Sequence, residues 1–408
     1  MNNTRKYKTI LKTKKTQKIR KTQKTNNILI KNTTPNFLDN LIKSINFSLK
    51  EKSEKSLENK EILTNLKSYT PTINYDLISF KSGLREEYID CNNKKAFKLK
   101  EKLKIGININ GIKKCYYYDT PETKKLLLKN LSLNKHINPK IIIPPIQSHS
   151  NCWFNAMFIT FFVSNKGRKF FHFFRELMIE GKQKNGKLIP PKLSKAFALL
   201  NYSIDLCLTG NNYAYKLDTN SIIHTIYKAI PSSYEYSILD IDEPGNPLSY
   251  YNKIINYLNN NDIMIVKLNG LILANIEDKS KKSEIKLHSI DNWIEKNKLP
   301  HIIVLEYYDN NNIKNKPLII DFKNAIYKLD SAVVRDIDKQ HFCSVISAEN
   351  KEMAYDGYSF TRLMDLKWKN KINKDYNWEF EGTRDYDNKP LQWNFLKCYQ
   401  LLYYYREK

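Results

Sequence analysis

Twelve residues, "CWFNAMFITFFV" from Cys152 to Val163, are apolar on nearly every side. As a helix, such a segment has no face to offer water, so it must be central and covered from all directions. The rest of the chain therefore has to supply layers around it. Upstream, "PKIIIPP" is an extended entry. Downstream, "GRKFFHFFRELMIEG" reads as one aromatic helix, and "KLSKAFALLNYSIDLCL" and "SIIHTIYKAI" as two more. After Pro231 the period changes from helical to alternating. The runs "DIMIVKLNG", "HIIVLEYY", "KPLIIDF", "YKLDSAVVR", "HFCSVIS", "EMAYDG" and "CYQLLYYY" are short, β-branched and aromatic, and broken by Asn, Asp and Gly. Helices followed by a mostly antiparallel sheet predict an α+β fold.

The chain of 408 residues is long enough for one large domain with extensions. Its net charge of +26 is partly local, because residues 1–35 carry eleven Lys and Arg and no acid. That segment reads as a basic low-complexity arm, suited to polyanion binding or nuclear import. Abundant Lys, Asn, Ile and Tyr beside scarce Gly and Ala is what A/T-rich codons produce, as in large DNA viruses, and it accounts for much of the remaining charge. Residues 36–137 read as an N-terminal extension, helical over 36–66 and then mixed, with a turn at "INGIKK" and a strand at "KCYYYD". Residues 138–408 form the third part.

No signal peptide opens the chain and no apolar run reaches the length of a membrane span. The six cysteines, Cys91, Cys115, Cys152, Cys207, Cys343 and Cys398, include no C-x-x-C pair. The expectation is a soluble intracellular protein with reduced thiols and no structural zinc.

Cys152 stands where a polar loop meets the apolar run. At a helix N-terminus the unpaired N–H groups stabilise a thiolate. Such a thiolate serves as a nucleophile when a base and an oxyanion donor accompany it. Gln147, five residues earlier, can aim its amide at the same volume as the Cys152 N–H. Alternatively, Cys152 is a small buried hydrophobe and Gln147 a solvated loop residue. His341 opens one alternating strand and Asp356 closes the next, with the turn "SAENKE" between them. Antiparallel pairing would make them neighbours, as an orienting carboxylate requires of a histidine. Taken singly, His341 is also a strand-end surface histidine and Asp356 an Asp-Gly turn. His149 would have to fold back to reach the cysteine. His172 and His224 lie in apolar helical runs and read as core residues. Cys343, two residues beyond His341, reads as packing, and Trp368, Trp378 and Trp393 as anchors of an irregular connection.

The segment "SNCWFNAMFITFF" resembles the Cys box of ubiquitin-specific proteases, Asn-Thr-Cys-Tyr-x-Asn before an apolar helix. Cys152 falls on its nucleophile, Asn155 on its Asn, and Gln147 on the oxyanion position. "KLPHIIVLEYY", "YKLDSAVVRDIDKQHFCSVIS", "MAYDGYSF" and "CYQLLYYYR" resemble four further boxes in the family's order, covering Lys140 to Lys408. They put His341 on the catalytic histidine and Asp356 on the third triad member. The resemblance implies a papain-like fold with a helical lobe and an antiparallel sheet lobe. It also implies thiol-dependent hydrolysis after the C-terminal glycine of ubiquitin or a ubiquitin-like protein, with no cofactor or metal. Three departures stand out. Lys339-Gln340 replace the glycine pair before the histidine, Gly357 replaces the second Asp, and the two C-x-x-C pairs of the zinc fingers are missing from a short region between Gly181 and Pro300. These leave an alternative expectation, an inactive protease-like structural protein, such as a virion or capsid component, binding partners or nucleic acid through its arm.

Overall fold

The computed structural model describes residues 85–109, 111–134, 136–230, 247–259, 263–270, 284–286, 299–309, 313–322 and 325–407. The basic arm at 1–35 and the expected helix at 36–66 lie outside them.

The described chain opens with a hairpin, β1 (Lys104–Ile109) and β2 (Ile112–Tyr117), followed by helix α1 (Pro121–Ser132). Cys152–Phe162 form helix α2. Then come α3 (Asn165–Phe170), α4 (His172–Glu180), α5 (Pro191–Thr209), α6 (Thr219–Ala229) and α7 (Pro247–Asn259). Strands follow: β3 (Ile265–Asn269), β4 (Glu284–Lys286), β5 (Ile302–Tyr307), β6 (Ile319–Phe322), β7 (Ala325–Arg335), β8 (Phe342–Ala348), β9 (Lys351–Tyr355), β10 (Leu363–Asp365) and β11 (Gln400–Arg406).

The order β10-β9-β8-β7-β11-β5-β3 makes one sheet, with β6 beside β7 and β4 beside β6. Its pairings are antiparallel except β3 with β5 and β4 with β6. A helical layer rests on a mostly antiparallel sheet, the α+β layout that helices followed by strands predict.

All eleven residues of α2 are buried, and the helix lies on β7 and β8 with α3 and α7 against it. The rings of Phe161 and Phe171 stack at 4.1 Å, Tyr403 of β11 meets Phe161 edge-on at 5.8 Å, and Tyr250 of α7 meets Trp153 at 4.8 Å. Polar handles are matched too: the Tyr251 hydroxyl donates to the Phe154 carbonyl at 3.1 Å. Burying an aromatic of this size contributes roughly 2–3 kcal/mol, so this layer is a large share of what holds the fold together.

Four expectations change. The single aromatic helix is broken at Phe171, whose backbone turns to φ −81°, ψ 15°. Ser164 caps α3 by accepting from the Gly167 N–H at 3.1 Å. The kink lets Phe170, Phe171, Phe173 and Phe174 all be buried, which one straight helix face cannot achieve. Secondly, the segment after Pro231 includes a helix, α7, where only strands were expected. Its Tyr and Ile content suits strands, but Tyr251, Ile254, Ile255 and Leu258 share one buried helical face, and that burial overrides propensity. Thirdly, the mixed region before 135 contains α1, which starts on Pro121 and buries Leu126, Leu127 and Leu131. Fourthly, not all thiols are free: Cys91 and Cys115 form a disulfide, while Cys152, Cys207, Cys343 and Cys398 are free. Cys115 pairs with Gly106 across the hairpin, and Ile89 bridges Gly106 from the other side. A Cβ on Gly106 would lie 2.5 Å from the Ile89 Cβ, so glycine permits the close approach that brings the two cysteines together.

Residues of this first part, including Phe97, Ile105 and Leu131, belong to the same core as α2. Among the described residues no helix is long and apolar enough to cross a membrane.

Candidate active site

Cys152 is the first residue of α2, buried at 9% exposure. The loop that delivers it is held by a polar network. Asn155, one turn into the helix, donates to the Ile146 carbonyl at 3.3 Å and accepts from the Thr219 hydroxyl at 2.9 Å. Asn151 donates to Thr219 at 3.0 Å and to Asn220 at 2.5 Å, and Asn220 donates to the Ser148 hydroxyl at 2.7 Å. Thr219 and Asn220 open α6, where Asp218 accepts the Asn220 N–H at 2.9 Å as an N-cap. One helix start thus fixes the loop leading into the other.

His341 lies just before β8, at the end of a turn built on Asp336. The Asp336 carboxylate accepts the backbone N–H groups of Asp338 at 2.9 Å, Gln340 at 2.7 Å and His341 at 2.5 Å. This winding puts Lys339 at φ 63°, the left-handed region that favours glycine. Lys339 thus holds a backbone conformation that glycine adopts more readily.

Asp356 follows β9, which pairs with β8 through Ser344 opposite Tyr355. The ladder brings His341 and Asp356 together, and His341 Nε2 meets Asp356 Oδ1 at 2.5 Å. Asp356 is fully buried. Its Oδ1 also accepts the Tyr358 N–H at 3.1 Å, and its Oδ2 accepts the Thr383 hydroxyl. Three donors on one buried carboxylate fix its orientation.

The His341 ring interacts with Cys152 as well as Asp356. With Nε2 turned to Asp356, Nδ1 is left for the sulfur. Burial pulls the ring's pKa down. Hydrogen bonds to Asp356 and Cys152, and the charges of both, outweigh it and carry the pKa up to about 10.

Gln147 is buried, and its N–H donates to the Gly357 carbonyl at 3.0 Å. Its side chain bonds to the Tyr358 hydroxyl, and its Oε1 has no hydrogen-bond partner. A Cβ at position 357 would lie 2.9 Å from both the Gln147 Cβ and the Tyr355 hydroxyl, and 3.0 Å from the Gln147 nitrogen. The loop carrying Gln147 presses on the strand end so closely that a second Asp has no room there.

Around His341, Tyr358 stacks at 5.1 Å and 17°, and Trp393 meets the ring edge at 5.9 Å. Tyr358, Thr383 and Asp336 were not singled out from the sequence, and Trp393 was read only as a loop anchor. Asp336 carried a signal, an Asp three residues before a glycine-type turn position. Thr383 carried none, because its loop is irregular. His149 is exposed on the loop, with its carbonyl accepting the Asn151 N–H at 2.8 Å. His172 is buried 3.2 Å from Glu176, where burial and then Arg175 lower its pKa to about 3. Cys343 is buried within the sheet, and burial raises its thiol. Trp368 is buried and donates to the Ile346 carbonyl at 3.0 Å, and Trp378 and Trp393 exchange backbone hydrogen bonds. Among the described residues, no group of three or more His, Cys, Asp or Glu could hold a metal ion.

No family model and no curated protein matches the chain. Among solved structures, it is similar to a SAGA DUB module of Ubp8, Sgf11, Sus1 and Sgf73 bound to monoubiquitin. That match has 12% identity and a TM-score of 0.39, covering 94% of this chain and 99% of that chain. A SAGA DUB module of the same four proteins bound to ubiquitin aldehyde matches at 12% identity and a TM-score of 0.35, covering 92% of this chain and 97% of that chain. Identities and scores this low leave the chemistry to be judged from the side chains themselves.

Proposed function

We propose that this protein is a thiol-dependent hydrolase of the ubiquitin-specific-protease type, cleaving ubiquitin or a ubiquitin-like protein from conjugates. The observation that carries the reading is the placement of His341 between the fully buried Asp356, at 2.5 Å, and Cys152 at the head of α2. The sequence boxes, in the family's order, support it independently.

In this reading His341 holds the proton taken from Cys152, and Asp356 orients and stabilises the imidazolium. The Cys152 sulfur attacks the carbonyl carbon of the scissile bond. The Cys152 N–H, one of the unpaired donors at the helix head, and the Gln147 amide hold the oxyanion. As the tetrahedral intermediate collapses, the C–N bond breaks and His341 gives its proton to the leaving amine. A water molecule, deprotonated by His341, then hydrolyses the thioester and restores Cys152. Residues 138–408 constitute the catalytic part in this account, and the basic residues 1–35 a polyanion-binding arm. A salt-dependent affinity for DNA that is lost on deleting 1–35 tests the arm.

The test of the enzyme is a ubiquitin carrying a C-terminal thiol-reactive group, mixed with the wild-type chain and with Cys152→Ala. A covalent adduct with the wild type alone is the expected result. Equal labelling of both proteins, or labelling mapped to another cysteine, would refute the assignment of Cys152.

A further inference from the structure

Tyr358 meets His341, Asp356 and Gln147 yet has no role in the reaction as written above. Its ring lies almost parallel to His341, 5.1 Å away at 17°. Its backbone N–H donates to Asp356 Oδ1 at 3.1 Å, the same oxygen that faces His341 Nε2. Its hydroxyl is bonded to the Gln147 side chain, whose own N–H is held by the adjacent Gly357 carbonyl at 3.0 Å. Tyr358 is 46% exposed, so one side of the ring covers His341 and the other faces solvent. Nothing in the core requires a tyrosine at such a half-open position.

We propose that Tyr358 is a positioning residue that couples the two halves of the site, its ring clamping His341 in register with Asp356 and its hydroxyl holding the Gln147 amide. The physical reasons are separable. A histidine held at its ring nitrogens can still tilt out of its plane, and a parallel ring at stacking distance opposes the tilt. A side-chain amide with an unpaired oxygen has no second anchor, so the phenol decides where its N–H₂ points. The inference rests on the hydrolase reading for the role of Gln147. The clamp on His341 stands without it.

Two substitutions divide the claim. Tyr358→Phe keeps the ring and removes the hydroxyl, whereas Tyr358→Leu removes both. The first readout is alkylation of Cys152 by iodoacetamide against pH, followed by mass spectrometry on the full chain, which needs no ubiquitin. The expected result is a wild-type profile for Tyr358→Phe and an alkylation rate at pH 7 lowered about 10-fold for Tyr358→Leu, so that phenylalanine rescues what leucine loses. An unchanged profile in Tyr358→Leu, in a variant shown to be folded by circular dichroism, overturns the clamp.

The second readout is steady-state hydrolysis of a fluorogenic ubiquitin C-terminal amide. The expected result for Tyr358→Phe is a kcat lowered about 10-fold at constant KM, with no further loss when Gln147→Ala is added. A kcat equal to or above wild type, or fully multiplicative losses in the double variant, overturns the hold on Gln147. If the wild type does not hydrolyse this substrate, the substrate reading falls. The hold on Gln147 is then decided by the NMR titration of the Tyr358 phenol, which must move upward in Gln147→Ala, and a phenol that does not move overturns it.

Discussion

Replacing Asp356 by Asn removes one charge from the most buried part of the site and leaves its shape. The Asn Oδ1 can keep both the Tyr358 N–H and His341, while its Nδ2 turns to the Thr383 hydroxyl, which then accepts rather than donates. The His341 ring stands at about 10 instead of 6.5. That is a preference for the charged ring of about 5 kcal/mol. Two unit charges about 4 Å apart at an effective dielectric constant of about 20 attract by about 4 kcal/mol. Asp356 alone therefore accounts for most of that preference, and the rest comes from Cys152 working against burial. In Asp356→Asn the His341 pKa should fall to near neutrality. Two-dimensional NMR of the imidazole in the full chain reads this directly: no titration below about 9 in the wild type, and a titration near 7 in the variant. The stability consequence has a definite sign. A raised histidine pKa lends stability that is fully present below the ordinary value and is lost as pH rises through about 10. The variant should have lost that contribution already at pH 8, and kcat/KM there should fall on the order of 100-fold. A wild-type ring that titrates near 6.5, or a variant ring that still titrates near 10, refutes the electrostatic account.

Gly357→Ala should lower stability by roughly 1–3 kcal/mol, because its Cβ would lie 2.9 Å from the Gln147 Cβ and 3.0 Å from its backbone nitrogen. A thermal melt checks this, and an unchanged Tm would mean that the loop yields freely. Lys339→Gly should gain about 1 kcal/mol from relief of the left-handed backbone at φ 63°. The exposed pair it loses, Lys339 with Asp309 at 3.0 Å, is worth less than that. Burial raises the Glu176 carboxyl to about 8. Its contribution to stability is thus present below the ordinary carboxyl range and lost as pH rises through about 8. Denaturant midpoints of Glu176→Gln should therefore vary less between pH 5 and 9 than those of the wild type.

The parts of the fold that were legible from sequence are those where one period has one explanation. The α2 run is apolar on all sides and can only be central, and β7, β8, β9 and β11 are short β-branched and aromatic runs bounded by turn residues. His341 and Asp356 were legible for the same reason, since each stands at the end of an unmistakable strand and a short turn joins the two. The miss at α7 arose because tyrosine and isoleucine favour strands, and only the packing around Tyr251 makes the segment a helix. The break at Phe171 was hidden because both halves of the run are helical, and the kink exists to bury four rings. The Thr383 hydroxyl and the Tyr358 ring reach the site from irregular loops, where no period exists to be read. The Cys91–Cys115 link depends on the closeness that Gly106 allows, a property of tertiary structure.

That link has a practical edge. Joining residues separated by 24 positions restricts the unfolded chain by about 3 kcal/mol. Cys152 must remain a free thiol for its sulfur to act. A strong reductant that guards the one sulfur also acts on the other two. Assays run in strong reductant therefore report a molecule whose leading hairpin has been unlatched, and a titration of reductant against melting temperature separates the two sulfurs' worth from one another.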